Sequence, residues 1–275
     1  MTESPEIKAL FEAALLEDCA FDDVTARLIP DVKTTARVVA REPGVFSGST
    51  VLLVARNIFA ESVSIEPQLR EGQTFQDGDP LVSLSGSARQ ILSLERTLLN
   101  FLGHACGVAT LTQQFVEAVK PHPVKILSTR KTLPGLRNFQ LEAVVAGGGH
   151  AHRRSLSDGI LIKENHLLFA TEQEMLLAAK HSRSPLHKVE IEVQDFKQLA
   201  EVLKNPPEII MLDNFSADDV RRAVKEINGR AEIEVSGGMN LPRVREVAPL
   251  GIQSISIGQL THSARWLNVS LDFIR

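Results

Sequence analysis

Cysteine is nearly absent. Cys19 and Cys106 are the two in 275 residues, a pattern that fits neither a disulfide framework nor a thiolate metal site, and both are expected to be small buried hydrophobes. Apolar runs are short, and none approaches the roughly 18 residues that a membrane span requires. The acidic start MTESPE lacks the basic opening of a secretory leader. A basic excess is missing too. Lys and Arg number 30 against 34 Asp and Glu, for a formal net charge of −4, and a pI near 6.1 speaks against a nucleic-acid-binding domain. With 43% hydrophobic residues the composition is that of an ordinary globular protein. The expectation is a cytoplasmic protein, with neither membrane nor nucleic acid as partner and long enough for one large α/β domain or two domains.

The N-terminal third reads as strands with helices laid against them. Ser4-Pro5 has the form of an N-cap and first helical residue, and Ile7, Leu10, Phe11, Ala14 and Leu15 recur at helical spacing, so a helix is predicted over 5–17. Asp22, Asp23 and Thr25 suit capping better than metal. TTARVVARE (34–42) alternates like a half-buried strand. A helix over 49–60, a strand over 62–69 and a turn at Asp77-Gly78-Asp79-Pro80 before the strand LVSLSG follow. From Ala88 to Lys120 apolar residues repeat at i, i+3 and i+4, with Gly103 and Gly107 expected to break the run into separate helices. His104 reads as a packed histidine, and Arg96, on composition alone, as a surface residue.

After Pro123 the pattern becomes a strand–helix alternation. Short apolar strands are predicted at 124–128, 159–163, 188–193, 208–212, 232–235 and 253–257, separated by helices at 134–146, 172–181, 195–203, 216–227 and 241–248. Such alternation predicts a parallel sheet. Its regularity, with no dinucleotide fingerprint after the first strand, favours a (β/α) barrel, incomplete because eight strands is the usual number. The tail LNVSLDFI (267–274) alternates again and is expected to return to the first domain.

Cations gather where this alternation begins. Residues 127–166 collect Arg130, Lys131, Arg137, His150, His152, Arg153, Arg154 and Lys163 against few acids, unlike a solvated face that interleaves both signs. Chemistry in such folds sits just beyond the carboxyl ends of the strands. Those ends read Thr129-Arg130-Lys131, Lys163-Glu164-Asn165-His166, Glu192, Asp213-Asn214, Ser236-Gly237-Gly238 and Gly258-Gln259. Each has a physical meaning. Glu192 and Asp213 are hard oxygen donors suited to Mg²⁺ shared with substrate phosphates, although Asp213 before a helix also suits capping. The glycine turns let backbone N–H groups approach a phosphate. Arg130, His152 and Arg153 offer forked and planar donors for carboxylates, and Lys131 and Lys163 offer compact charge for a diphosphate or a developing anion. The triple glycine 147–149 reads equally as a helix stop or a close-approach loop. The pocket expected is one for a phosphorylated substrate with magnesium and a second substrate bearing carboxylates.

TRKTLPGLR, GGGxxHR, SDGILIKENH, EIEV, MLDN, SGGM and GQLTHS, together with ERTLLNFL and the early GVFSG, closely resemble in order and spacing the quinolinate phosphoribosyltransferase family. The resemblance implies an α/β protein: an N-terminal α+β open-faced sandwich over 1–98, joined by 263–275, and an incomplete (β/α) barrel over 99–262. It implies quinolinate and phosphoribosyl diphosphate as substrates, and a homodimer, or a higher oligomer built on it, whose sites combine one subunit's barrel with its neighbour's N-terminal domain. Position by position it assigns quinolinate binding to Arg130, His152, Arg153 and Lys163, with Arg96 reaching in from the partner. It assigns Lys131, Lys163, Glu192 and Asp213 to the phosphoribosyl diphosphate and catalytic site, and Ser236, Gly237, Gly238, Gly258 and His262 to the phosphate-side loops. Ala151 and Arg154 depart from the usual pattern around the His-Arg pair. Two rivals are a molybdenum-transport-associated paralogue on the same fold and a catalytically silent phosphosugar-binding protein. Loss of Lys131, Glu192 or Asp213 would mark the silent protein, and all three are present.

Overall fold

A computed structural model describes residues 4–274. In chain order the elements are α1 (Pro5–Glu17), β1 (Lys33–Ala40), β2 (Gly44–Val45), α2 (Ser49–Ile58), β3 (Val63–Pro67), β4 (Thr74–Phe75), β5 (Pro80–Ser87) and α3 (Ala88–Ala118). Then come β6 (Lys125–Leu127), α4 (Arg137–Ala146), β7 (Ile160–Ile162), α5 (Glu164–Leu167), α6 (Glu172–Ser182), β8 (Val189–Val193) and α7 (Phe196–Val202). The chain closes with β9 (Ile209–Asp213), α8 (Ala217–Ile227), β10 (Glu232–Ser236), α9 (Leu241–Val247), β11 (Ser254–Ser256), α10 (Gln259–His262) and β12 (Val269–Ile274). Among the described residues no helix is long and apolar enough to cross a membrane.

The residues fall into two compact units. The first takes the described residues within Met1–Gln113, Thr132–Gly148 and Leu260–Arg275. Its antiparallel sheet has the order β12-β1-β5-β3, with the C-terminal strand hydrogen-bonded along β1 from Thr35↔Ile274 to Ala40↔Val269. The alternation seen in TTARVVARE puts Ala36, Val38 and Ala40 on the buried face. Helix α1 starts as its sequence predicts, with the Ser4 hydroxyl accepting from Ile7 N. Asp23 Oδ1 accepts from the backbone of Thr25 and Ala26, a turn cap rather than a metal ligand. Glu71 reaches the start of α2, taking bonds from Ser47 Oγ at 2.6 Å and Ser49 N at 3.0 Å, where a carboxylate offsets the positive end of the helix. His104 is buried as expected, beside Gln140 Nε2 at 3.0 Å.

Three local expectations need correction or refinement. Cys106 is buried, and burial pushes its thiol up to about 12, but Cys19 is exposed at a left-handed residue with φ 50° just after α1. The triple glycine combines its two readings: Gly147 ends α4, and a Cβ there would lie 2.3 Å from Ala109 O. Helix α3 runs unbroken past Gly103 and Gly107. A helical glycine costs about 1 kcal/mol relative to alanine, but here the tail crosses the helix at backbone distance. A Cβ on Gly107 would sit 2.1 Å from Arg265 O, one on Gly103 2.9 Å from Leu267 O, and Leu267 N donates to Gly103 O at 2.9 Å. The glycines therefore serve as a saddle for the returning chain, while Leu94, Leu98 and Leu102 on the same helix are buried.

The second unit takes Gln114–Lys131 and Gly149–Gln259. Its sheet is parallel throughout, in the order β6-β11-β10-β9-β8-β7, so the first strand pairs with the last and β7 forms the far edge. This is an open six-stranded sheet among the described residues, in keeping with an incomplete barrel. Val189, Ile191 and Val193 are buried on one side of β8, and α6 and α7 pack on that strand. Helix α8 begins at Ser216, whose hydroxyl accepts from Asp219 N, so Asp213 is not its cap.

Gly107→Ala should force the tail off α3 at a cost of about 1–3 kcal/mol, the usual range for overpacking. Thermal denaturation should show a lowered Tm; an unchanged Tm would mean that the tail does not press on the helix.

Candidate active site

Parallel pairing sets the carboxyl ends of all the strands of the second unit along one edge, and the period-2 alternation decides which side chains share the inner face. Glu190 and Glu192 of β8, Met211 and Asp213 of β9, Glu232, Glu234 and Ser236 of β10, and Ser254 and Ser256 of β11 line two cavities on that face. The upper cavity, of about 600 Å³, collects Thr129, Arg130 and Lys131 beyond β6, His152 and Arg153, and Lys163 and Glu164 beyond β7. It adds Glu192, Asp213, Asn214, Ser236, Gly237 and Gly238 from the neighbouring strand ends.

The cationic side carries a built electrostatic demand. The Nε atoms of Arg130 and Arg153 are buried without a hydrogen-bond partner among the described residues, and burial together with the Arg130 charge lowers the pKa of Arg153. A buried, unpaired guanidinium edge is costly unless an anion meets it. Arg153 is steadied from behind by a bond to Gly159 O at 3.3 Å. His152 Nε2 lies 2.9 Å from Glu190 Oε2 and 3.4 Å from Glu234 Oε2. Burial alone would lower its pKa, but the hydrogen bonds and charges of the two glutamates outweigh that and raise it to about 10.

On the acidic side, Glu192 is buried and its Oε2 meets the Lys163 ammonium. Asp213 accepts from Asn214 Nδ2 at 2.7 Å. Asn214 is left-handed with φ 58°, and its N–H donates to Ser236 O at 3.1 Å. The next loop folds tightly over it. Gly237 has φ +88°, and a Cβ there would lie 2.2 Å from Asn214 Oδ1, so only glycine passes. Ser236 Oγ and Ser256 Oγ are 3.0 Å apart. Glu192 and Asp213 supply hard carboxylate oxygens to one cavity, which fits Mg²⁺, an ion bound through one or two carboxylates plus substrate phosphates.

The expected site residues therefore divide. Arg130, Lys131, His152, Arg153, Lys163, Glu192, Asp213, Ser236, Gly237 and Gly238 share the upper cavity. Gly258 belongs to the same unit but is not among its lining residues. Arg96 and His262 belong to the first unit. There Arg96 is exposed and lines a small cavity of about 200 Å³ with Glu17, Asp18 and Asn100, and His262 Nδ1 lies 2.6 Å from Ser263 Oγ. Not every cation of 127–166 joins the cavity. Arg137 reaches Thr132 Oγ1 at 3.2 Å in the first unit, while His150 and Arg154 are exposed, the former contributing backbone bonds to Ile126 and Ser128.

Sequence reasoning passed over Glu190 and Glu234, reading VEIEV and EIEV as strand bodies. Their signal was present: acids at alternate positions inside otherwise apolar strands have to share a face with something cationic. Their ligand atoms and that of His152 lie within 4.8 Å of one another.

The chain matches family models along nearly its whole length. Residues 22–106 match the quinolinate phosphoribosyl transferase N-terminal domain, and residues 108–272 match the C-terminal domain. A nicotinate-nucleotide pyrophosphorylase [carboxylating] of Mycobacterium leprae is 39% identical over 94% of this chain and 94% of its own length. A mitochondrial quinolinate phosphoribosyltransferase [decarboxylating] of Nicotiana tabacum is 35% identical over 97% of this chain and 82% of its own. The solved nicotinate-nucleotide pyrophosphorylase of Francisella tularensis superposes with a TM-score of 0.93 at 33% identity, covering 100% of this chain and 98% of that one. On these matches, and with the cationic cavity at the strand ends, the chain belongs to the quinolinate phosphoribosyltransferase family.

Proposed function

We propose that this enzyme transfers the phosphoribosyl group of 5-phosphoribosyl 1-diphosphate to quinolinate with loss of CO₂, giving nicotinate mononucleotide and diphosphate in the de novo synthesis of NAD. The observation that carries the reading is one cavity that holds two arginines whose buried Nε atoms have no hydrogen-bond partner among the described residues, two lysines and two carboxylates. A pyridine dicarboxylate answers the guanidinium side, and a sugar diphosphate answers the lysines and the Ser236-Gly237-Gly238 turn.

The chain's own groups then divide the work. Arg130, His152 and Arg153 clamp the carboxylates and aim the ring nitrogen at the anomeric carbon; such positioning can supply several kcal/mol of a barrier. As the bond to diphosphate breaks, the ribose passes through an oxocarbenium-like transition state, which Glu192 and Asp213 stabilise electrostatically. Lys131 neutralises charge on the departing diphosphate, a fixed-charge effect of the oxyanion-hole kind. Lys163, paired with Glu192, holds that carboxylate in place and presents positive charge toward the substrate. N-ribosylation makes the ring cationic, so the 2-carboxylate leaves as CO₂ and the remaining ylide is stabilised by the adjacent charge. Protonation at that carbon completes the product. Glu192 and Asp213 would hold Mg²⁺ together with the substrate phosphates, and the ion would supply charge neutralisation of the diphosphate.

A homodimer with shared sites is part of the same reading. Arg96 is exposed in the first unit and is proposed to enter the partner's cavity. Phe21, Val24 and Leu28 on that unit are 61%, 70% and 84% exposed, an apolar stretch suited to a subunit contact.

Calorimetry with quinolinate, followed by CO₂ release on adding phosphoribosyl diphosphate and Mg²⁺, tests the activity; silence in both would overturn it. Arg153→Ala should raise the quinolinate KM by about 10- to 100-fold, the loss of a charge-assisted contact, and an unchanged KM would remove Arg153 from the clamp. Lys131→Ala should cut kcat by about 100-fold or more with quinolinate affinity retained, and near wild-type turnover would make that charge dispensable.

A further inference from the structure

The inner face of the second unit holds two acids that the reaction above does not use. Glu190 is 4% exposed and Glu234 1% exposed, on strands β8 and β10 with β9 between them. Each keeps one oxygen, Oε1, without a hydrogen-bond partner among the described residues. Their other oxygens converge on a single atom, His152 Nε2, at 2.9 and 3.4 Å. Ser254 Oγ adds a bond to Glu234 Oε2 at 3.3 Å.

His152 stands at a boundary. Its side chain is 14% exposed, and it lines both the upper cavity of about 600 Å³ and a lower one of about 420 Å³ that Glu190 and Glu234 also line. Above it the charged neighbours are Arg130, Lys131, Arg153, Lys163, Glu192 and Asp213, with Glu164 at the rim. Below it, besides the two glutamates, they are Lys125, Asp158, Lys188 and Glu232, together with Arg153, which lines both cavities; Lys188 and Glu232 are bonded to each other at 2.7 Å.

We propose that Glu190 and Glu234 are positioning residues: by gripping the Nε2 edge of His152 from below, they hold its ring as a fixed, doubly protonated donor toward the pyridine dicarboxylate. The proposal rests on the quinolinate reading of the upper cavity. A neutral imidazole has one donor and one acceptor nitrogen. With Nε2–H committed to the glutamates, a neutral ring would present the Nδ1 lone pair on its other edge, and a lone pair repels a carboxylate. Carboxylates at one ring nitrogen favour the imidazolium, in which Nδ1 also carries a proton and donates; burial, with the charge of Glu234 beside it, pushes the Glu190 carboxyl above its usual range, so Glu190 and His152 titrate as a pair. Burial opposes that charge, and the paired carboxylates overcome it, in the direction found for His152. Because the folded value is raised, the cation persists through neutral pH and is lost only as the pH climbs toward about 10.

The test compares wild type with Glu190→Gln, Glu234→Gln and the double variant. Quinolinate Kd is measured by calorimetry and KM by steady-state assay, between about pH 6 and 8.5. Wild-type affinity should be nearly flat across that window. In the double variant His152 should titrate near its ordinary value, and quinolinate affinity should fall by about tenfold or more from the acid to the alkaline end. The KM for phosphoribosyl diphosphate should hold in every variant. A double variant whose pH profile overlays that of wild type overturns the proposal. Proton NMR of the wild-type histidine ring signals, with His152 assigned by its loss in His152→Asn, gives an answer even where a variant does not fold. The His152 ring should stay in its charged form through pH 8, and a midpoint near 6.5 overturns the proposal. Absence of quinolinate binding by the wild type would instead sink the reading of the cavity, a result distinct from a His152 ring that titrates normally.

Discussion

Carboxylates placed inside a parallel sheet have to be answered by positive charge, and the second unit is organised around that requirement. Glu190, Glu192 and Glu234 are each at most 6% exposed. Taking such groups out of water costs several kcal/mol apiece unless they are paired or protonated. The chain answers with His152 against Glu190 and Glu234 and with Lys163 against Glu192. These pairs lie side by side on the inner face because strands repeat every second residue and all six run the same way.

The acids also localise the cations. A lysine or arginine beyond a strand end need not face the cavity: Arg154 is exposed, with its backbone N–H donating to Asp158 Oδ2 at 2.7 Å. Lys163 and His152 are instead tethered to the cavity wall by buried partners, and Arg153 by the Gly159 carbonyl. The Nε atoms of Arg130 and Arg153 are buried without a hydrogen-bond partner among the described residues, so the balance of the site is anion-seeking even though the whole chain is net acidic at −4. The quinolinate phosphoribosyltransferase chemistry of the family asks for this surplus. Its two substrates carry carboxylates and a diphosphate, and its transition state moves negative charge onto a leaving group while building positive charge on the sugar.

Much of this was legible in the chain. The helix after Ser4-Pro5, the alternation of β1, and the successive strands after Pro123 all follow from short-range periodicity, and the observed ends fall within a few residues of those expected. The strand-end residues Lys131, Lys163, Glu192 and Asp213 were legible for the same reason: polar groups abruptly follow apolar strands. What misled was context. Gly103 and Gly107 look like helix breakers by propensity, yet they sit within one helix because the tail at Arg265 and Leu267 needs backbone contact there. Cys19 has the chemistry of a core residue but falls on an exposed left-handed turn.

By itself, then, the sequence determined the element types, the parallel character of the C-terminal sheet, the family, and the strand ends at which chemistry would gather. Periodicity and local capping encode the elements and strand ends within a few residues of chain, while the family follows from the resemblance of its motifs. Only the tertiary structure decided that Glu190 and Glu234, 44 positions apart in sequence, meet on one nitrogen of His152, and that His150 and Arg154 stay outside the cavity. Strand order and register set those distances, and both depend on long-range pairing that no local pattern records.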